Sequence, residues 1–303
     1  MVGLAAVAFS IWLLVGELRH TSLDDVWESL TLIRPINWLL AGLSAICAYA
    51  ALAGYDHIAL LHLRKKVHWL FVTACSFTTY ALAHNIGGSV LSGAVVRYRA
   101  YSTQGLSGTE VGILVGLCSL TFTLATIFLT GIVLMLNPGL LDRFADVPHL
   151  PISHAIGVVF LLIVGAYLLA SLLRLPPLKI GKFKLEYPSP SIVARQLIIG
   201  PLELLAAASI IYFAMPTAES VSYLTVLGVF LVAFSAALIS HAPGGLGVLE
   251  VMFVAGFQDV DPAGVLAALL VFRLLYLIIP LIVGLIIVVM FERSQYGHSA
   301  NAQ

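Results

Sequence analysis

The sequence predicts an all-α polytopic integral membrane protein. It has about six full transmembrane helices plus two re-entrant helical hairpins of opposite orientation, an arrangement compatible with an inverted repeat. Three observations carry this. The chain is 60% apolar and 10% charged with zero formal net charge, and its mean hydropathy is +1.04; soluble domains carry roughly 25% charged residues. Several apolar runs reach the roughly 20 residues that cross a bilayer as a helix. Two of the apolar stretches are broken by glycines, at Asn85-Ile86-Gly87-Gly88-Ser89 and at Ser240-His241-Ala242-Pro243-Gly244-Gly245-Leu246-Gly247-Val248-Leu249-Glu250.

Residues 2–16 are apolar with neither a basic leader nor a small-residue cleavage site, so they are expected to stay as a first spanning helix. Residues 17–34 carry four acids, and Leu23, Val26, Trp27 and Leu30 recur at helical spacing, the pattern of an amphipathic helix on the membrane surface. A span at 35–61, with Asp56 near its end, leads to the basic loop 62–68. Residues 69–84 then meet the first break, and 90–96 lead out to Arg97-Tyr98-Arg99. Long spans follow at 111–136 and 152–173, a Pro- and Lys-rich basic loop at 174–190, and a span at 192–214 with Glu203 at its middle. Residues 223–257 hold the second break, and 263–291 form the last span, interrupted by Arg273 and Pro280. The transmembrane domain is thus 1–291, and 292–303 are expected as a short, disordered cytoplasmic tail.

The second break contains what a spanning helix avoids. Pro243 donates no backbone hydrogen bond, and Gly244, Gly245 and Gly247 each cost about 1 kcal/mol in a helix interior. The freed backbone groups must be satisfied by protein or a watery cavity, and broken helices at membrane depth mark transport sites. If both broken segments enter and leave on one side, a cytoplasmic N-terminus places Arg64, Lys65, Lys66, Arg97, Arg99, Arg174, Lys179, Lys182, Lys184, Arg195 and Arg293 inside. Only Arg19, Arg34 and Arg143 then fall outside. Both termini are cytoplasmic in this topology, and the two hairpins enter from opposite sides.

Asp56, Glu203, Glu250 and Arg273 are ionisable groups in or near hydrocarbon, each costing about 2.5–3.5 kcal/mol on insertion scales, so each is expected to pair or to line a cavity. Arg273 sits near the midplane, Tyr276 shares its face at i+3, and Glu250 is its natural counter-ion. A substrate role for that pair and a purely structural clasp are both open. Glu203 has no partner on its own helix, which suits proton coupling, headgroup contact or a hydrogen-bonded core carboxyl. Asp56 and His57 read as interfacial or snorkelling groups. His84 and His241 either titrate or cap freed carbonyls. Arg97 and Arg99 suit phosphate in the headgroup layer, or ordinary positive-inside anchoring.

No soluble-enzyme motif is present: no GxSxG, no HExxH, no P-loop. Cys47, Cys75 and Cys118 form no CxxC and read as core residues, so no metal or cofactor is expected. Zero net charge argues against nucleic acid.

Three blocks carry a family resemblance. They are Asn85-Ile86-Gly87-Gly88-Ser89 through Gly93 to Arg97-Tyr98-Arg99-Ala100-Tyr101-Ser102 and Gly105-Leu106-Ser107; Pro243 to Glu250; and Phe272-Arg273-Leu274-Leu275-Tyr276 with Pro280. The chain resembles the lysylphosphatidylglycerol synthase transmembrane-region family, which includes the flippase domain of the bacterial MprF proteins and stand-alone YbhN-like members. Tyr55-Asp56 and Glu203 resemble family positions less specifically. The resemblance implies a bacterial inner-membrane protein that moves an anionic or aminoacylated phospholipid between leaflets. With no aminoacyl-transferase domain before Gln303, it is expected not to be an enzyme. The alternatives are a non-transporting partner of a lipid- or envelope-synthesising enzyme, or a transporter of a small solute. A homo-oligomer is compatible with the sequence.

Overall fold

The computed structural model describes residues 22–86, 89–144, 150–173, 178–180, 183–185, 188–215 and 221–300. The expected first span at 2–16 and the break residues Gly87 and Gly88 lie outside them. The described chain is helical, as expected of an all-α polytopic protein. The one exception is an antiparallel strand pair in the basic loop, β1 (Leu178–Ile180) and β2 (Phe183–Leu185). Six of the described helices are long and apolar enough to cross a membrane: Pro35–His62, Gly108–Leu136, Ile152–Leu172, Pro190–Ala214, Tyr223–Ser240 and Pro262–Arg293. Tyr223–Ser240, expected as one arm of a hairpin, meets that length as well.

Helix α1 (Leu23–Thr31) starts at a reciprocal cap. Ser22 Oγ accepts from the Asp25 N–H, and the Asp25 carboxylate accepts from the Ser22 N–H at 2.7 Å. Those bonds hold the Asp25 carboxyl below the usual aspartate range. The amphipathic face is shared out: Val26 and Leu30 pack on Ala263 and Ala267, while Leu23 and Trp27 face outward.

Helices α2 (Pro35–His62), α5 (Gly108–Leu136) and α7 (Pro190–Ala214) form the middle of the bundle, and small residues bring them close. A Cβ on Gly200 of α7 would lie 2.7 Å from Ala125 Cβ and 3.1 Å from the Thr121 carbonyl of α5. The carbonyl cannot move without its helix. Gly200→Val is therefore expected to destabilise the protein by about 1–3 kcal/mol, read as thermal unfolding in detergent. It would also displace Glu203, one turn further along α7.

Ion pairs mark the two ends of α5. At its start, Lys65 Nζ lies 2.8 Å from Glu110, and nearby Arg99 lies 3.0 Å from Glu292. At its far end, roughly 44 Å away at ~1.5 Å per residue, Arg143 bonds Asp259 at 2.9 Å and the Gly256 carbonyl at 2.8 Å. The Arg143 guanidinium holds the Asp259 carboxyl below its ordinary range.

Helices α3 (Trp69–Ile86) and α4 (Ser89–Ser102) form one helical hairpin with both feet at the Glu110 end. The second is α8 (Tyr223–Ser240), a 3₁₀ turn at Pro243–Gly245, and α9 (Val248–Gly256), with both feet at the Arg143 end. The hairpins point toward each other, and Ala83 and His84 of the first tip face His241, Gly244 and Gly245 of the second across a small cavity. The second tip reverses through left-handed residues at His241 (φ 53), Gly244 (φ 60), Gly245 (φ 64) and Gly247 (φ 77). Glycine takes these values without Cβ strain, which explains why this turn is glycine-rich.

The last span has a π-helical turn, Arg273–Ile278, between α10 (Pro262–Phe272) and α11 (Ile279–Ala300). Pro280 supplies the reason. It has no N–H, so the Tyr276 carbonyl loses its α-helical partner. Tyr49 replaces it, donating its hydroxyl to Tyr276 O at 3.0 Å, and Asn85 Nδ2 donates to Leu277 O at 3.1 Å. Expectation and structure differ at the C-terminal end: α11 runs on to Ala300, so 292–300 are helical rather than a disordered tail. Glu292 is held there by Arg99, and no proline interrupts the segment.

Candidate functional site

Three charged clusters lie where apolar helices meet. In the first, Arg97 of α4 reaches Asp56 of α2. Its Nη2 lies 2.6 Å from Asp56 Oδ1, and its Nε lies 3.2 Å from both carboxylate oxygens. Tyr101, one turn after Arg97 on the same helix face, donates its hydroxyl to Oδ2 at 2.9 Å, and Cys118 Sγ approaches Oδ1 at 3.5 Å. The guanidinium carbon also sits 4.8 Å from the centre of the Tyr80 ring. Asp56 is fully buried and Arg97 is 4% exposed. Asp56, expected as an interfacial or snorkelling group, is enclosed between helices with Arg97 as its ion partner. Arg97 and Arg99, expected together as phosphate-binding or anchoring cations, reach different partners, and Arg97 takes Asp56. Arg99 is exposed and joined to Glu292.

The second cluster is built on Glu203 of α7, which is 1% exposed. Tyr276 donates to its Oε1 at 2.6 Å, and Tyr55 lies 3.5 Å from Oε2 while also approaching the Gly200 carbonyl at 3.4 Å. Among the described residues its hydrogen-bond partners are these two phenols, and no cation pairs with it.

The third cluster ties the second hairpin tip to the π-helical turn. Arg273 donates to Glu250 Oε1 from Nε at 2.8 Å and from Nη2 at 2.5 Å, and its Nη1 donates to the Gly244 carbonyl at 3.0 Å. Glu250 Oε2 accepts from the Gly247 N–H at 2.8 Å, capping α9. Glu250 is thus the counter-ion of Arg273, and the pair also satisfies backbone groups freed by the break. Tyr276, expected on the same face as Arg273, reaches a different partner. The π-helical winding between them sends it to Glu203, while Arg273 goes to Glu250.

A cavity of about 530 Å³ adjoins the first two clusters. Arg97, Glu203 and His84 line it with Tyr80, Phe234 and His241. His84 stacks on the Tyr276 ring at 5.4 Å, and its Nδ1 is buried with no hydrogen-bond partner among the described residues. His241 is exposed at the left-handed turn, and His57 is exposed on α2. Asn85 belongs to the hairpin contact, and Pro243, Gly244, Gly245 and Gly247 form the second tip. Sequence reasoning missed Tyr80, Tyr49 and Cys118. Tyr101 could have been found, because its i+4 spacing from Arg97 places a donor beside any partner of that arginine.

The family described as the lysylphosphatidylglycerol synthase TM region matches residues 1–284. The chain is 31% identical over 284 residues to the Synechocystis protein named uncharacterized protein slr0712, covering 92% of this chain and 87% of that one. It is 30% identical over 290 residues to the inner membrane protein YbhN of Escherichia coli, covering 93% and 88%. A phosphatidylglycerol lysyltransferase of Staphylococcus haemolyticus is 25% identical over 303 residues, covering 95% of this chain and 33% of that protein. The three motif blocks all lie within the matched region, and the chain belongs to the lysylphosphatidylglycerol synthase transmembrane-region family.

Proposed function

We propose that this protein is a translocase that moves an anionic or aminoacylated phospholipid between the leaflets of a bacterial inner membrane. Its hairpins would be re-entrant from opposite faces, and both its termini would be cytoplasmic. One observation carries the reading. The cavity between the hairpins puts a guanidinium and a carboxyl on a largely apolar wall, at the depth where the two broken helices meet. Polar groups at that depth are costly in a purely structural protein and useful along a headgroup path. Arg97 would meet phosphate, Glu203 a headgroup or a coupling proton, and the Arg273–Glu250 clasp would set the position of the second tip. The relatives named for an inner membrane and for phosphatidylglycerol lysyl transfer support the location and the lipid class.

A partner role has one observation in its favour: in the staphylococcal relative the region forms a third of a longer lysyltransferase protein. Proteoliposomes holding a fluorescent phospholipid, quenched from outside, separate the two. The intact chain is expected to expose inner-leaflet lipid at a rate well above that of empty vesicles. Thr123→Trp puts a bulky ring on the cavity wall while leaving every residue of the three clusters in place, and is expected to slow that rate at least tenfold. A rate equal to that of empty vesicles favours the partner role, and a rate that survives the filled cavity removes the cavity from the path.

A further inference from the structure

A second groove, away from the cavity, lies between the first hairpin and the last span. Phe71, Leu82 and Val96 line it from α3 and α4, and Val288 and Phe291 line it from α11, around a volume of about 260 Å³. Val95 also borders it and is 70% exposed, so the groove opens on the outer face of apolar helices, where a membrane presents lipid tails. At its charged end stand Arg99 and Glu292, joined at 3.0 Å.

The wall of this groove holds one polar anomaly. Thr78 lines it and is 3% exposed, and its hydroxyl has no hydrogen-bond partner among the described residues. A buried hydroxyl left unmatched is costly, so the site favours a ligand that brings an acceptor. Thr78 stands seven residues before Asn85, and Arg99 stands ten residues after Ser89, on the two sides of the hairpin break. At ~1.5 Å per residue, the hydroxyl therefore lies only about 5 Å deeper than the Arg99 backbone. The groove is thus charged at one end, carries a lone donor just below that end, and is apolar beyond it. A glycerolipid arm has the same order: headgroup, ester carbonyl, hydrocarbon chain. The ester carbonyl accepts hydrogen bonds and has no donor of its own, whereas a second transmembrane helix would arrive with its carbonyls already bonded.

We infer that this groove is a fixed seat for one acyl-ester arm of a bilayer glycerolipid, with the ester carbonyl accepting from Thr78 Oγ1 and the chain lying between α3 and α11. The seated lipid is a resident brace between the first hairpin and the last span, separate from any cargo in the large cavity. Recognition lies in the ester and the chain. The seat does not rest on the translocase reading, and lipid movement can fail with the seat intact.

The test is native mass spectrometry of the purified full-length protein. The probes are a diacyl phosphatidylglycerol and its dialkyl ether analogue, which has the same headgroup and chain length but no carbonyl. The intact protein is expected to keep one lipid through detergent exchange, and to bind the ester lipid at least fivefold more tightly than the ether lipid. Thr78→Val keeps the side-chain shape without the hydroxyl, and should bring the two lipids within twofold of each other. Val96→Trp puts a bulky ring in the groove wall and is expected to weaken the retained lipid at least tenfold; Thr78→Val serves if that variant does not fold. Thr123→Trp, on the wall of the large cavity, should leave the ester preference unchanged. Equal binding of the two lipids by the intact protein overturns the inference, as does an ester preference that persists in Thr78→Val. Loss of the preference in Thr123→Trp would put the lipid in the large cavity and overturn it too. Lipid that washes off the intact protein is annular contact only, and refutes the seat.

Discussion

Asp56→Ala is expected to give the largest loss of stability of any single change in the bundle, about 3–5 kcal/mol, seen as a lower midpoint of thermal unfolding in detergent. The side chain is fully buried, and its removal strands the Arg97 guanidinium, itself 4% exposed, against the Tyr80 ring with no carboxylate partner among the described residues. The Tyr101 hydroxyl would lose its acceptor in the same step. The cost comes from the uncompensated charge rather than from the lost bond, and this can be separated. Asp56→Leu combined with Arg97→Met removes both charges, and should recover most of the stability lost by Asp56→Ala. If the double variant is no better than the single, the cost lies in packing around α2 and not in the stranded cation.

Arg273→Ala should follow closely in size, at about 3 kcal/mol, because its pair with Glu250 is slightly less buried, with side chains 11% and 13% exposed. It also leaves the Gly244 carbonyl without its donor, in a turn held by three left-handed glycines. The functional consequence is expected to exceed the structural one. Lipid movement in proteoliposomes should fall at least tenfold in Arg273→Ala, and should stay low in the Glu250→Leu, Arg273→Leu double variant even where that protein is stable. Movement at the intact rate in the double variant would make the pair a structural clasp and remove it from the site.

The distance between sequence and structure is set by which interactions are local. The second break was legible because proline and glycine act on their own backbone, and the Glu250–Arg273 pair because two opposite charges in apolar segments must find each other. The π-helical turn was not legible, although its cause is printed in the sequence as Pro280. What makes it tolerable is a phenol from Tyr49 and an amide from Asn85, both brought by other helices. The same holds for Arg97. Its place with Arg99 around Tyr98, on the expected cytoplasmic side, suggests a headgroup-layer or anchoring cation, and only the packing of α4 against α2 shows that Asp56 claims it. Glu203 stood out as a carboxyl in mid-span, but its two phenol partners come from helices 148 and 73 residues away in sequence.

The π-helical turn also sets the phase between the two halves of one span. Each residue of an α-helix turns the chain by about 100°. Carrying the extra residue of a wider turn therefore rotates everything after Ile278 relative to everything before Arg273. Upstream, this phase holds Val265, Ala268 and Phe272 in the core. Downstream, it presents Gly284 to α3, where an added Cβ would lie 3.2 Å from Ala81 Cβ, and it brings Glu292 to Arg99. A span wound uniformly could serve one of these neighbours but not both. The irregular turn works as a coupling between two docking registers, one for the second hairpin and one for the first, and so a single helix can hold both hairpins at once.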